Sequence, residues 1–183
     1  MVITIKKKAE ELKIKTPDLI TRHMGRIMYD SIRDLVENIS DGETLVLDFD
    51  GIKVIDSSFI DEMIVKLILD SKTASRAFYI KLKNISAIAE TNIDLVFRSY
   101  SNYKNKKIVV ITENICQNNV FFIGPLSDQE RDVVEFLRVN RSINIDDIMK
   151  FTGRPKDEVK KTMEDLDSMR AVKRQESGVY FPV

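Results

Sequence analysis

The chain has 183 residues, enough for one large domain or two small ones, and 43% of them are hydrophobic, enough to bury a core without disulfides. Lys+Arg and Asp+Glu number 29 each, which excludes a strongly basic nucleic-acid coat and an acidic solvating tail. One cysteine, Cys116, excludes an internal disulfide and a cysteine-based zinc cluster, and one histidine, His23, excludes any site that needs two. No apolar run approaches the roughly 18 residues of a membrane span. Lys6-Lys7-Lys8 follows the apolar start instead of preceding it, against the order of a secretory signal. A soluble, cytoplasmic, non-enzymatic protein with no cofactor and no metal is the expectation.

In chain order, residues 2–6 predict a short strand with the three lysines as its solvated end. Thr16 as N-cap and Pro17 at the first helical position predict a long helix. Its stripe of Leu19, Ile20, Met24, Ile27, Met28, Ile32, Leu35, Val36 and Ile39 holds one face, His23 sits beside it as a packed or partly exposed neighbour, and Asp41-Gly42 ends it. Residues 44–48 are a buried strand. Ser57 or Ser58 caps a second helix with Ile60, Met63, Ile64, Leu67 and Ile68 inward. Residues 77–82 are another strand, Asn84 or Ser86 caps a third helix running to about Tyr100, and 107–112 is the last strand. This β-α-β-α-β-α-β order over 1–112 predicts an α/β domain, one mixed sheet with helices packed on it.

Residues 113–124 form a polar connector closed by the sharpest break in the chain, Gly124-Pro125. Its end, Val120-Phe-Phe-Ile123, is too apolar for a free linker and is expected to pair as a strand or to pack between domains. Residues 125–183 read as a second domain. Ser127 caps a helix with Val133, Val134 and Leu137 inward, and residues 144–151 make a short second helix. Gly153 supplies a left-handed turn, and Pro155 starts a third helix with Val159, Met163, Leu166 and Met169 inward. Val172-Lys-Arg and Val179-Tyr-Phe flank Glu176-Ser-Gly178 as a hairpin. Three helices and a terminal hairpin resemble a winged helix-turn-helix domain.

Two resemblances bear on chemistry. Leu45-Val-Leu-Asp-Phe-Asp-Gly51 resembles the signature of haloacid dehalogenase phosphatases, which implies Asp48 as nucleophile and Asp50 as proton carrier around Mg²⁺. Ile52 stands where that family has threonine, and no acidic pair follows at a third strand end; alternatively, Asp48 and Asp50 hydrogen-bond turn amides. The longer run from Leu45 through Asp56-Ser57-Ser58-Phe59-Ile-Asp-Glu62, followed by Ile80-Lys-Leu-Lys-Asn84, resembles a STAS domain, the anti-sigma-factor antagonist fold, over about 1–112. That resemblance implies Ser57 as a phosphorylation site, with Asp48, Asp56, Ser58 and Phe59 forming the surface that docks a kinase-like anti-sigma or other regulatory partner. An exposed serine on the first turn of a helix is chemically suited to a phosphate, although Ser57 and Ser58 also suit plain N-capping. Phe59 replaces the usual glycine of the family as an exposed aromatic, and Asp61 and Glu62 add negative charge that opposes a phosphate.

The winged-helix resemblance implies DNA binding through the third helix and the wing. Arg154, Lys156, Lys160 and Lys161 are the cations offered by the helix, and the wing offers the cations Lys173 and Arg174 with the neutral Gln175, where Arg or Gln can read base edges. Residues 125–183 hold 11 Lys/Arg and 12 Asp/Glu, a net of 11 − 12 = −1, which equally suits a protein-contact or dimerisation module. A transcription regulator acting as a homodimer is expected, with an antagonist-type adaptor as the alternative.

Overall fold

The sheet of the N-terminal unit is made from the runs richest in β-branched and aromatic residues, as pleated, two-sided burial favours. A computed structural model describes residues 1–73, 77–116 and 120–183; the part of the expected connector at 117–119 lies outside the described residues. The chain divides into two units, Met1–Pro125 and Leu126–Val183.

In the first unit, strands β1 (Val2–Thr4), β3 (Thr44–Asp48), β5 (Tyr79–Lys83), β6 (Val110–Thr112) and β7 (Phe122–Ile123) form one sheet in the order β1-β3-β5-β6-β7. The first three pairings are parallel and β6·β7 is antiparallel, so the sheet is mixed. Parallel neighbours require crossovers, and helices supply them. Leu45, Leu47, Ile80 and Leu82 of the central strands are buried with Phe59, Ile60, Met63, Ile64, Leu67 and Ile68 from the crossover helix in a single apolar cluster. The apolar end of the connector pairs as β7 and so belongs to this unit. At Gly124 the backbone has φ +122 and passes so close to Ile108 that a Cβ would collide with that residue's carbonyl oxygen.

The beginning of the chain differs from expectation. β1 stops at Thr4, and Ile5–Glu11 form a helix, α1, with Ile5 and Ala9 buried four residues apart. Lys6-Lys7-Lys8 therefore lie on a helix and not at a strand end. Thr16 and Pro17 do not open the long helix. Asp18–Leu19 form β2, paired in parallel with β4 (Val54–Ile55), and the Pro17 and Leu19 carbonyls accept hydrogen bonds from the Lys53 and Asp56 amides. Backbone groups used across the chain in this way are not available to a helix. The long helix, α2, runs Arg22–Val36 with Thr21 as its N-cap, whose hydroxyl accepts from the Met24 amide at 3.4 Å. Leu19 and Ile39 are buried outside it, and His23 is exposed on it.

In the second unit, α6 (Asp128–Asn140), α7 (Ile145–Thr152) and α8 (Lys156–Ser168) precede the hairpin β8 (Val172–Arg174) and β9 (Tyr180–Pro182). Ser127 and Asn144 each cap their helix through a reciprocal capping box, with Glu130 and Asp147 respectively. Gly153 closes α7 in the left-handed conformation. Ile143, between α6 and α7, bridges to Tyr180 through amide-to-carbonyl bonds of 3.0 and 2.8 Å, adding a short third edge to the hairpin. Val133, Leu137, Ile148, Val159, Met163 and Leu166 are buried.

Candidate functional site

β4 delivers the backbone to Asp56, and a helix starts immediately. α3 (Ser57–Ile60) runs without a break through a π-helical segment, Asp61–Val65, into α4 (Lys66–Thr73). Neither serine caps it. The Asp56 carboxylate does, accepting from the Phe59 amide at 2.7 Å, because the residue before Ser57 already has the extended backbone an N-cap needs. The same carboxylate accepts from the Thr21 amide at 3.3 Å, so it joins the starts of two helices. Relieved of capping, Ser57 is exposed, and its hydroxyl forms no hydrogen bond with another described residue. Phe59 is fully buried: it points into the core and contributes nothing to a surface.

An open groove of about 640 Å³ lies over this helix start. Arg22, Ser57, Ser58, Asp61, Tyr100 and Lys104 line it, and Leu95 and Val96 make its apolar wall. Tyr100 and Lys104 come from α5 (Ala87–Lys104), which Ser86 caps and which is fastened to the β4 region. The Ser86 hydroxyl donates to the Lys53 carbonyl at 2.6 Å, and the Asn92 amide donates to the Ile55 carbonyl at 2.8 Å. Arg22 comes from the first turn of α2. That helix crosses the Ser57 helix at Gly25, where a Cβ would come within 2.9 Å of the Glu62 Cβ and 3.0 Å of the Phe59 carbonyl oxygen.

The charges beneath the groove form a continuous chain. Arg22 Nη1 donates to Asp61 Oδ2 at 3.1 Å and also to Glu62 Oε1. Glu62 is 5% exposed and is held also by Lys66 and, at 3.9 Å, by Arg26. The Lys66 ammonium, followed by the Arg22 guanidinium, keeps the Glu62 carboxyl below the usual carboxylate range against the effect of burial. The Tyr100 hydroxyl donates to Asp61, and the Lys104 ammonium sits 3.7 Å from the centre of the Tyr100 ring. Of the acids expected to oppose a phosphate, Glu62 is thus matched by three cations, and Asp61 is held by Arg22 and the Tyr100 hydroxyl. Arg22, Tyr100 and Lys104 escaped the sequence reading as site residues, and Glu62 was read only as a charge opposing a phosphate. The available signal was Glu62 and Lys66 four apart on an otherwise apolar helix, and Arg22 and Arg26 four apart on another.

The structure brings Asp56, Ser57 and Ser58 together and leaves Asp48 elsewhere. Asp48 Oδ1 accepts from the Asp50 amide at 3.0 Å and from Asn84 Nδ2 at 2.8 Å, holding the turn that follows β3, while Asp50 is exposed. No cluster of three or more metal-ligating side chains occurs among the described residues. In the second unit, Lys156, Lys160 and Lys161 are exposed on α8. Arg154 Nη1 lies 3.2 Å from Glu158, Lys173 is half-buried, and the exposed Arg174 approaches the Tyr180 ring at 6.0 Å. Gln175 makes the hairpin turn with its backbone, donating to the Val179 carbonyl and accepting from the Gly178 amide, both at 2.9 Å.

A family model described as a STAS-like domain of unknown function (DUF4325) matches residues 29–90. The matched segment runs from α2 through β3, β4, the Ser57 helix and β5 into α5, so it contains Asp56, Ser57, Asp61 and Glu62. The mixed α/β sheet described above is consistent with that class. Comparison with curated proteins and with solved structures found no match. Among the described residues, no helix is long and apolar enough to cross a membrane.

Proposed function

We propose that this protein is a cytoplasmic, non-enzymatic regulator with two working parts. The groove at Ser57 receives a kinase-like regulatory partner and a phosphoryl group, and the C-terminal unit acts as a winged helix that delivers the output to DNA. The observation that carries the first part is the state of Ser57. It is exposed in a groove, it is not used for capping, and it lies in a segment that matches a STAS-like family model. A phosphate there adds nearly two negative charges to a docking surface without unfolding the helix. The Ser57→Asp variant should weaken binding of the kinase-like partner while Ser57→Ala preserves it. Equal binding by both would remove the switch.

The second part is supported by order and pairing. α7, the Gly153 turn and α8 follow one another in the order a helix-turn-helix needs, and the Ile143–Tyr180 bridge ties the hairpin to the segment that leads into α7. Arg154, Lys156, Lys160, Lys161, Lys173 and Arg174 supply about six phosphate contacts per protomer at most, which favours a homodimer on paired half-sites. Fluorescence anisotropy on duplex DNA over a range of salt tests it. Lys160→Glu and Arg154→Ala should each lower affinity and flatten the salt dependence.

A second reading, an adaptor whose C-terminal unit contacts protein, is favoured by a specific surface. Phe136 and Phe151 stack at 4.1 Å between centroids, Phe151 is 48% exposed, and Val139 is 71% exposed. DNA binding that ignores both substitutions moves the function to this reading.

A further inference from the structure

Each acid held by Arg22 has a second partner. Glu62 keeps Lys66 and Arg26, and Asp61 keeps the Tyr100 hydroxyl, if the guanidinium moves away. Arg22 itself commits only one nitrogen. Both of its hydrogen bonds leave from Nη1, so Nη2 and Nε are free of described partners, and its side chain is 56% exposed. Its position is also telling. Asp61, which holds it, lies four residues after Ser57 on the same helix, so the two side chains are neighbours on one face. Arg22 and Ser57 line the same groove from opposite helices.

We propose that Arg22 is the receiver of a phosphoryl group on Ser57. The guanidinium turns its free edge to two phosphate oxygens and releases its share of Glu62 and Asp61 to their other partners. This rests on the reading of Ser57 as a modification site and names the device that reads the modification. In the covalent step, Ser57 Oγ forms a bond to the γ-phosphorus of ATP held by the partner kinase. The bond from that phosphorus to the bridging oxygen breaks, ADP leaves, and the hydroxyl proton passes to the base of the kinase. The two parallel N–H···O bonds that follow are the geometry a guanidinium is shaped for and an ammonium is not. The outcome is a change in what Arg22 holds on the Ser57 helix, two protein carboxylates before modification and one phosphate after it, while Arg26 keeps Glu62 tied to α2.

The test is a ³¹P NMR pH titration of the full chain carrying phosphoserine at position 57. The groups facing the phosphate are Arg22 from α2, Asp56 and Asp61 from its own segment, and Tyr100 and Lys104 from α5. The second ionisation of phosphoserine ordinarily falls near about 6. With Arg22 in place it should fall about one unit lower. Arg22→Gln should return it to the ordinary value, Arg22→Lys should restore part of the shift, and Lys104→Gln should leave most of it. An ordinary midpoint in the parent chain, or a depression that survives Arg22→Gln and disappears with Lys104→Gln, overturns the assignment. Because Arg22→Gln also removes two ion pairs, the parent chain gives an independent measurement: phosphorylation should slow exchange of the Arg22 Nε–H and shift its resonance, and an unchanged resonance overturns the proposal. The two layers fail separately. An unshifted titration removes the role of Arg22 but not the modification, whereas absence of phosphate on Ser57 in protein isolated from its native cell removes the modification and the proposal with it.

Discussion

In the N-terminal unit the charges that shape packing meet across long stretches of chain: Arg22 reaches Asp61 and Glu62, and Tyr100 reaches back to Asp61. In the C-terminal unit Arg131 and Arg138 take Asp128 and Glu135 from their own helix, and Arg154, in the turn before α8, takes Glu158 from the start of α8, each three or four residues away. The difference separates two ways of using charge. A near neighbour on an exposed helix adds a few tenths of a kcal/mol and is screened by salt. A carboxylate placed at a helix crossing fixes how two elements meet, because burial makes its loss of partners costly. In the first unit these charges join distant segments, whereas in the second the charge pairs named are local and the distant links, Ile143–Tyr180 and Gln129–Thr162, are between uncharged groups. Substitutions that act on distant meetings should therefore have larger effects than substitutions that act on local ones.

The largest effect is expected at Gly124. Alanine there faces both a φ of +122 and a collision with the Ile108 backbone, and neither neighbour is the flexible end of a side chain. Strain and overpacking together should cost about 4 kcal/mol, detaching β7 from β6. Urea unfolding of Gly124→Ala checks it, and a change below about 1 kcal/mol would mean that the strand tolerates a shift. Gly25→Ala comes next. It gains about 1 kcal/mol in helix propensity but forces α2 away from Glu62 and Phe59, and should be net destabilising by about 2 kcal/mol. On the docking proposed at Ser57, the same change should reduce partner binding, since Arg22 moves with α2.

These sites also mark the limit of what was legible. The C-terminal unit was read element by element because its signals are local: Ser127 and Asn144 precede their helices, Glu130 and Asp147 follow three residues later, and Gly153 ends α7. β3 and the start of α5 were legible from local signals too, and the Ser57 helix was legible in its apolar face though not in its cap, which is Asp56. The beginning of the chain was not. Pro17 and the apolar Leu19 imitate a helix start, and only pairing with Lys53–Asp56, some 35 residues away, shows that they are extended. Phe59 was expected on the surface because it stands where the resembled family has glycine; in the helix that Asp56 caps, Phe59 turns inward. The exposed position of Ser57 at a helix start was legible in the sequence, while the cations around it were not, since Arg22 and Lys104 share its groove only through the packing of α2 and α5.

A third test sharpens the comparison through pH. Glu62→Gln removes the negative charge that Lys66, Arg22 and Arg26 share, and should cost about 1–2 kcal/mol, less than a fully buried pair because those cations are partly solvated. The folded-state pKa of Glu62 lies below its unfolded value, so its contribution is present above about 4.3 and is lost as pH falls through the lower folded value. The parent chain should lose stability in that acid window, and Glu62→Gln should lose less there while being weaker at neutral pH. Thermal unfolding of both proteins between pH 3 and 7 checks it. Parallel curves would mean that the buried carboxylate does not link the helices.

The smallest effect is expected where the interaction is wholly local. Ser127 Oγ accepts from the Glu130 amide at 3.3 Å, and Glu130 Oε2 accepts from the Ser127 amide at 2.7 Å and from its hydroxyl at 2.8 Å. Ser127→Ala removes the hydroxyl and leaves the Glu130 amide without its cap, but the return bond from the Ser127 backbone survives. Half of the box remains, so the cost should be about 1 kcal/mol, in the ordinary range for an N-cap. Ser127→Gly should cost only a few tenths, because it lets water reach the same amide. Hydrogen exchange of the first-turn amides of α6 reads the loss directly: faster exchange at Glu130 and Arg131 with the later turns unchanged is the signature of a frayed end. If Ser127→Ala instead destabilises the C-terminal unit as much as Gly25→Ala destabilises the N-terminal one, the cap positions α6 against the rest of its unit, and the division between local and long-range anchoring does not hold.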